Sequence, residues 1–297
     1  MIQKGVLIPH DDFVIRVLPY ADGIVRITAG PSDGPEPVSY SVTAPFPADP
    51  SFTVETGETE TAVTAGRLTV TVGEDFVTVT ADGKRLTRAS RFRLEPYEIR
   101  RQTGGNVTFR QTVDGVRASA EGGDETFIRV SNHGAVTFDF TEDETLFGLG
   151  SHEEGYANLR GQFVPLYQEN MRIAVPVFVS TKGYAVLVNC ASVMTFDATD
   201  HRRGKFFLDS VDAVDFWVLY GGDFAGVCRA LKALTGTTPL LPKWAFGYVQ
   251  SKERYASQKE LIEIGRRYRA EGIPIDVLVQ DWLYWDDGMW GNKHFNK

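Results

Sequence analysis

Cysteine is scarce: Cys190 and Cys228 are the only two in 297 residues, which excludes a disulfide framework. Both sit among apolar residues in the sequence, so they read as small buried thiols of a reducing compartment. No apolar run approaches the ~18 residues of a membrane-spanning helix. The opening "MIQKGVLIPHDD" lacks the apolar segment of a secretion signal, and a cytoplasmic protein with no membrane partner is the expectation. In that setting the sequon Asn106-Val107-Thr108 carries no meaning. The five histidines (His10, His133, His152, His201, His294) lie far apart, and none has metal-ligand spacing to a Cys or Asp partner, so no metal is expected. "HEEG" at His152 lacks the second histidine of a zinc-protease helix, "FGLGSHEEG" fits neither phosphate-loop pattern, and no Ser-His-Asp arrangement follows from spacing. No cofactor is expected. Positive charge is also short, 31 Lys and Arg against 39 Asp and Glu. The longest basic cluster is "HRRGK", His201 to Lys205, which reads as a solvated turn, so nucleic acid is not a partner.

What the sequence does hold is β structure. "FVIRVLPYADGIVRITAG" alternates apolar and polar residues around Asp22-Gly23, and "RLTVTVGEDFVTVTADGKRLT" does so around Asp82-Gly83. "NVTFRQTVDGVRASA" is a third hairpin, turning at Asp114-Gly115. "IAVPVFVS", "YAVLVNC" and "AVDFWVLYG" add further strands, and "GPSDGPEP" (Gly30 to Pro37) is a loop. Many short strands rich in Val and Thr predict an N-terminal antiparallel β-sandwich over residues 1–238.

The texture changes at Gly221. "GDFAGVCRALKALTG" predicts a linking helix near 223–235, capped by Asp223 and stopped by Gly236, with Phe224, Val227, Leu231 and Leu234 apolar. "TTPLLPKW" is a Pro-rich connector. Then "WAFGYVQS" reads as a strand. "SQKELIEIGRRYRAEG" reads as a helix with the capping box Ser257 and Glu260, the apolar face Leu261, Ile264 and Tyr268, and a stop at Gly272. "IPIDVLVQD" reads as a second strand. Strand, helix, strand is a βαβ unit with a parallel pair buried on both faces. Chemistry in such folds collects at the C-terminal strand ends, where Gln250 to Arg254 and Asp281 fall.

Three of the five tryptophans (Trp282, Trp285, Trp290) follow Asp281 in "VLVQDWLYWDDGMWGNK". A carboxylate accepts hydroxyl hydrogen bonds from a sugar, and indole faces cover its C–H side. The other reading is loop packing, with Asp281 a helix cap, and the residue types leave both open. "QSKERY" likewise reads either as part of a site or as a solvated charge cluster.

"LFGLGSHEEG", "VPVFVSTKGYAVLVN", "LTGTTPLLPKWAFGYVQSKERY" and "YRAEGIPIDVLVQDWLYW", in that order, resemble glycoside hydrolase family 31, the α-glucosidase and α-xylosidase family, over about residues 145 to 290. Residues 1 to 140 match it only in general β character. The resemblance implies a galactose-mutarotase-like sandwich, then a (β/α)8 barrel that residues 239–297 begin. It also implies exo-acting hydrolysis of terminal α-linked sugars with retention. Two aspartates about 5–5.5 Å apart do that chemistry. The family carries them on later strands, beyond Lys297, so no catalytic residue is assigned in this chain.

By the same resemblance Asp281 matches the acid that binds hydroxyls of the terminal sugar, and Trp282 and Trp285 match its neighbours. Ser251, Lys252 and Glu253 match the other pocket-lining strand end, where many α-glucosidases carry an aromatic residue. Asn170 falls where many members have an aspartate on a sandwich loop. "QDWLYW" with "SKERY" looks more like the α-xylosidase branch. The expected partners are an oligosaccharide or α-glycoside substrate and the remainder of the same enzyme, needed to complete the barrel; a homo-oligomer is left open. By itself the chain is expected to be inactive. Two alternatives stand beside this reading: a non-catalytic carbohydrate-binding β-sandwich, and a family member acting as a glycosyltransferase or lyase. The βαβ unit discriminates against the first, because a binding module has no use for the start of a barrel.

Overall fold

The computed structural model describes residues 5–10, 13–45, 51–112, 115–286, 292 and 294–295. Asp114, Trp290, Lys293 and Lys297 lie outside them. The chain separates into two compact units: Met1–Arg101 with Glu125–Thr237, and Gln102–Asp124 with Thr238–Lys297.

The first unit is an antiparallel β-sandwich. One sheet runs in the order Val6–His10, Phe13–Ala21, Ile24–Gly30, Val214–Tyr220, Tyr184–Val188, Ile173–Ser180, Leu146–Ser151. The other runs Phe163–Leu166, Met194–Asp197, Arg203–Val211, Asp124–Asp139, Lys84–Thr103, Phe76–Ala81, Leu68–Val72, Thr61–Ala65, Thr53–Thr56. Their inner faces meet in one apolar core. Phe138 of the long sheet lies edge-on to Phe178 and Phe216 of the shorter one, with centroids 5.7 and 5.2 Å apart. Such crossed ring pairs add stabilisation beyond the area they bury.

The predicted hairpins form, and the turns at Asp82-Gly83 and Asp22-Gly23 differ in their chemistry. Asp82 and Gly83 both have positive φ, 49° and 73°, as a type I′ turn demands. At Asp22-Gly23 only the glycine does, φ 77°, and a register shift between Pro19 and Ala21 absorbs the difference. Asn106–Thr112 and Gly115–Glu121 pair as the third hairpin.

Helix α1 (Phe224–Thr235) starts where Asp223 accepts the Gly226 N–H and stops at Gly236, φ 93°. It lays Val227 and Leu234 against Leu187, Trp217 and Leu219 on the outer face of the shorter sheet. Tyr184–Val188 is therefore buried along its whole length, which is why "YAVLV" shows no alternation. Cys228 sits one residue round the helix from Val227 and is exposed, so it is not the buried thiol its neighbours imply; Cys190 is half-buried.

In the second unit, Val249–Lys252 and Val277–Gln280 pair in parallel around helix α2 (Gln258–Ala270), giving the βαβ unit. The first strand is shorter than "WAFGYVQS" predicts. Pro242 starts a 3-10 turn at Lys243–Phe246, with the Ala245 N–H on its carbonyl, and this takes up Trp244 to Phe246. The second strand is also shorter, because the Ile273 N–H closes the helix end on Tyr268 O at 2.9 Å while Gly272 takes φ 69°. Neither strand is buried on both faces as expected. Val249–Lys252 is mostly exposed and Val277–Gln280 half-buried.

Candidate functional site

Strand alternation decides which side chains share a face. Gln250, Lys252, Leu278 and Gln280 stand opposite one another in the register. Leu278 packs on α2, for a Cβ added at Gly265 would meet its Cδ1 at 3.1 Å. Gln250 accepts the Tyr268 hydroxyl from α2 at 2.7 Å, and Lys252 Nζ lies 2.9 Å from Glu260 Oε1 in its first turn. This is the helix face. Val249, Ser251, Val277 and Val279 take the other, and Glu253 and Asp281 follow directly past the two strand ends. Ser251, Glu253 and Asp281 are all exposed. Lys252 stands apart from them.

The two strand-end loops are tied together. The Trp282 N–H donates to Glu253 O at 2.8 Å, carrying the parallel ladder past the strand ends. Gln280 Nε2 reaches Tyr255 O at 3.4 Å and Trp282 O at 3.3 Å. The Asp281 carboxylate accepts no hydrogen bond from any described residue, so its acceptor positions stay open to a ligand.

The aromatic residues form a wall. Trp282 and Trp285 meet edge to face at 5.4 Å, and Tyr284 meets Trp285 at 5.1 Å. Trp285 is 7% exposed and anchors the cluster. Between them Leu283 has φ 58°, a left-handed conformation that costs a bulky residue about 1–2 kcal/mol. This kink lets two indoles three residues apart pack against each other directly after the acid.

Two polar groups have partners that the sequence reading did not give them. Glu260 does not complete a reciprocal capping box. Ser257 Oγ accepts its N–H at 3.2 Å, but its carboxylate takes the Ala256 N–H at 2.7 Å and Lys252 on the other oxygen. The Lys252 hydrogen bond first, and the Ala256 N–H next, hold its pKa below the ordinary value. Gln250 is the second, a hub accepting the Tyr248 and Tyr268 hydroxyls and reaching Tyr255. The two-residue step from Gln250 to Lys252 was the signal available for both.

Asn170 belongs to the sandwich unit. It is exposed at the tip of a turn closed by the Arg172 N–H on Glu169 O at 3.2 Å, beside Met171 at φ 64°. Among the described residues no group of His, Cys, Asp and Glu has metal-holding geometry. None of the helices there is long and apolar enough to cross a membrane.

Two family models match this chain. One, described as the glycosyl hydrolase 31 N-terminal galactose mutarotase-like domain, covers residues 14–197; the other, the glycosyl hydrolases family 31 TIM-barrel domain, covers residues 238–297. An alpha-xylosidase of Saccharolobus solfataricus is 36% identical over 169 residues, which take in 54% of this chain and 23% of that protein. Alpha-xylosidase A of Aspergillus niger is 31% identical over 153 residues, 50% of this chain and 20% of the fungal protein. The solved structure of a family 31 alpha-xylosidase from a soil metagenome, complexed with xylose, matches with a TM-score of 0.75 at 21% identity, over 97% of this chain and 42% of that one. At that identity the likeness is one of fold. The alignments thus span less than a quarter of the length of these two curated relatives.

Proposed function

Since the chain belongs to glycoside hydrolase family 31, we propose that it supplies the sandwich and the first barrel strands of a retaining, exo-acting α-glycosidase. The substrate is an oligosaccharide or other α-glycoside ending in α-linked xylose or glucose, with xylose favoured. The nucleophile and the acid/base aspartate come from barrel strands outside this sequence, and the 297 residues alone are inactive. A cytoplasmic setting, in which Cys190 and Cys228 stay reduced, is part of the same proposal.

One observation carries the reading. Asp281 presents an exposed carboxylate with no hydrogen-bond donor among the described residues, at the strand ends that also carry Ser251 and Glu253 and directly before the Trp282–Trp285 wall. In this reading the acid grips hydroxyls of the terminal sugar, the indoles cover its apolar face, and Ser251 and Glu253 line the rim. Lys252 supports the loop from the helix side. Asn170 is a separate proposal, an amide from the sandwich that hydrogen-bonds substrate.

Asp281→Asn in the full-length enzyme tests it. A hydrogen bond to a charged group contributes about 1.5–3 kcal/mol, so kcat/KM on an aryl α-glycoside should fall by roughly 10- to 150-fold. An unchanged kcat/KM refutes the site. Run on the parent enzyme, aryl α-xyloside should be turned over faster than aryl α-glucoside, because an indole beside the acid crowds a C6 hydroxymethyl group. A clear preference for glucoside refutes that half.

A further inference from the structure

Lys252 points away from the proposed sugar face, and its partners show what it does there. Its ammonium lies 2.9 Å from Glu260 Oε1 and 5.1 Å from the centre of the Tyr255 ring, a ring that is 4% exposed. The other oxygen of Glu260 accepts the Ala256 N–H at 2.7 Å. One carboxylate therefore joins the end of the first barrel strand, the loop behind it and the first turn of α2. That loop begins at Glu253, whose carbonyl accepts the Trp282 N–H at 2.8 Å. Trp282 is the next residue after Asp281.

We propose that Lys252 and Glu260 form a positioning clamp. It holds residues 253–256 in one conformation and, through the Glu253 carbonyl, sets the backbone that carries Asp281 and Trp282. The inference rests on the reading of Asp281 as the hydroxyl-binding acid. An exposed Lys–Glu pair contributes little to global stability. Its effect on a site is different in kind. Where the loop spends only a fraction of its time in the binding conformation, the apparent dissociation constant rises by the inverse of that fraction. Neither clamp residue touches the sugar, so both act on affinity through the same link.

The test is a double-mutant cycle in the full-length enzyme. Lys252→Met keeps the stem over Tyr255 and removes the ammonium, while Glu260→Gln removes the charge and keeps the shape. Each should raise KM for an aryl α-glycoside roughly two- to fivefold, with kcat changed less. The double variant should lose no more than the worse single one, because the same link is already broken. Lys252→Arg should restore most of the loss. A weakened Lys252→Met beside an unaffected Glu260→Gln overturns the clamp and makes Lys252 a direct substrate contact. Additive losses overturn it in favour of two independent roles. Unchanged KM in both, with a lowered unfolding midpoint, overturns it in favour of a pair that only supports the fold. Asp281→Asn in the same series separates the two levels. A parental KM there fails the site itself, whereas a raised KM beside silent clamp variants fails the clamp alone.

Discussion

Asp215→Leu removes the acceptor at the centre of a buried charge cluster in the sandwich. Its side chain is 0% exposed and that of Arg26 3%. Asp215 Oδ1 accepts from Arg26 Nε and Thr28 Oγ1, both at 2.8 Å, and Oδ2 accepts from Arg26 Nη2 at 2.8 Å and Asn189 Nδ2 at 2.6 Å. Burial alone would lower the pKa of Arg26; the Asp215 hydrogen bond and charge, then Glu36, more than offset this and raise it. The guanidinium is thus charged in the fold and needs its counterion. Removing one partner of a buried pair costs about 3–5 kcal/mol. Two details pull in opposite directions within that range. Arg26 keeps Glu36 Oε1 at 2.8 Å and Pro37 O at 2.7 Å, which softens the loss. Thr28 and Asn189 lose an acceptor as well, which deepens it.

We therefore expect about 4 kcal/mol, a large share of the 5–15 kcal/mol typical of a folded domain. At about 2–4 °C per kcal/mol for a domain of this size, the midpoint should fall by roughly 8–16 °C. Thermal unfolding followed by tryptophan emission is the assay, since the buried Trp217 ring lies 5.4 Å from Arg26 Cζ. Arg26→Met together with Asp215→Leu removes both charges and should recover at least half of the loss. The reasoning fails if Asp215→Leu costs less than about 1 kcal/mol, or if the double variant is no better than the single one.

Gly150→Ala should destabilise the sandwich by more than about 2 kcal/mol, read as a drop in urea midpoint, because φ is 107° and a Cβ would collide with the Ile173 carbonyl. In a thiol titration of the native chain, Cys228 should react at once and Cys190 slowly, since Cys228 is exposed while burial raises the Cys190 pKa.

Local features of this fold were legible in the sequence and long-range ones were not. Asp82-Gly83 announced its hairpin because few residue pairs accept two positive φ values, and Asp223, Gly236, Ser257 and Gly272 marked helix ends by their own hydrogen-bond and backbone chemistry. The pairing of Val214–Tyr220 with Ile24–Gly30 left no comparable trace. Ile24–Gly30 alternates, but Val214–Tyr220 is apolar nearly throughout, so no alternation there fixes its inward face, and neither stretch says which neighbour belongs beside it. Cys228 was misplaced because apolar neighbours along a helix lie on different faces. Trp244 to Phe246 was misread because an aromatic run after a proline fits a strand and a 3-10 turn equally well.

In the candidate site, residue types alone could not separate Lys252 from Ser251 and Glu253, though the period-2 rule could have once one strand residue was anchored to the helix. The Leu278–Gly265 contact and the Lys252–Glu260 pair supply that anchor. The anchor also says what the other face needs. Parallel strands are covered on both sides, yet α2 lies on one side only, and Val249 remains 45% exposed. Trp244 and Phe246, leading into that strand, are 57% and 74% exposed. This apolar surface lies at the N-terminal end of the parallel pair, the end opposite Asp281, and in the proposed reading it is further barrel strands that cover it. In the full barrel proposed above, further strands shield Asp281 partly from water, and each hydroxyl hydrogen bond it accepts there is stronger than in the bare βαβ unit. Affinity for xylose should accordingly be measurable in the full-length enzyme and vanish in residues 238–297 alone. Equal binding by both in a calorimetric titration would show that the βαβ unit is a complete site and that the further strands add nothing to recognition.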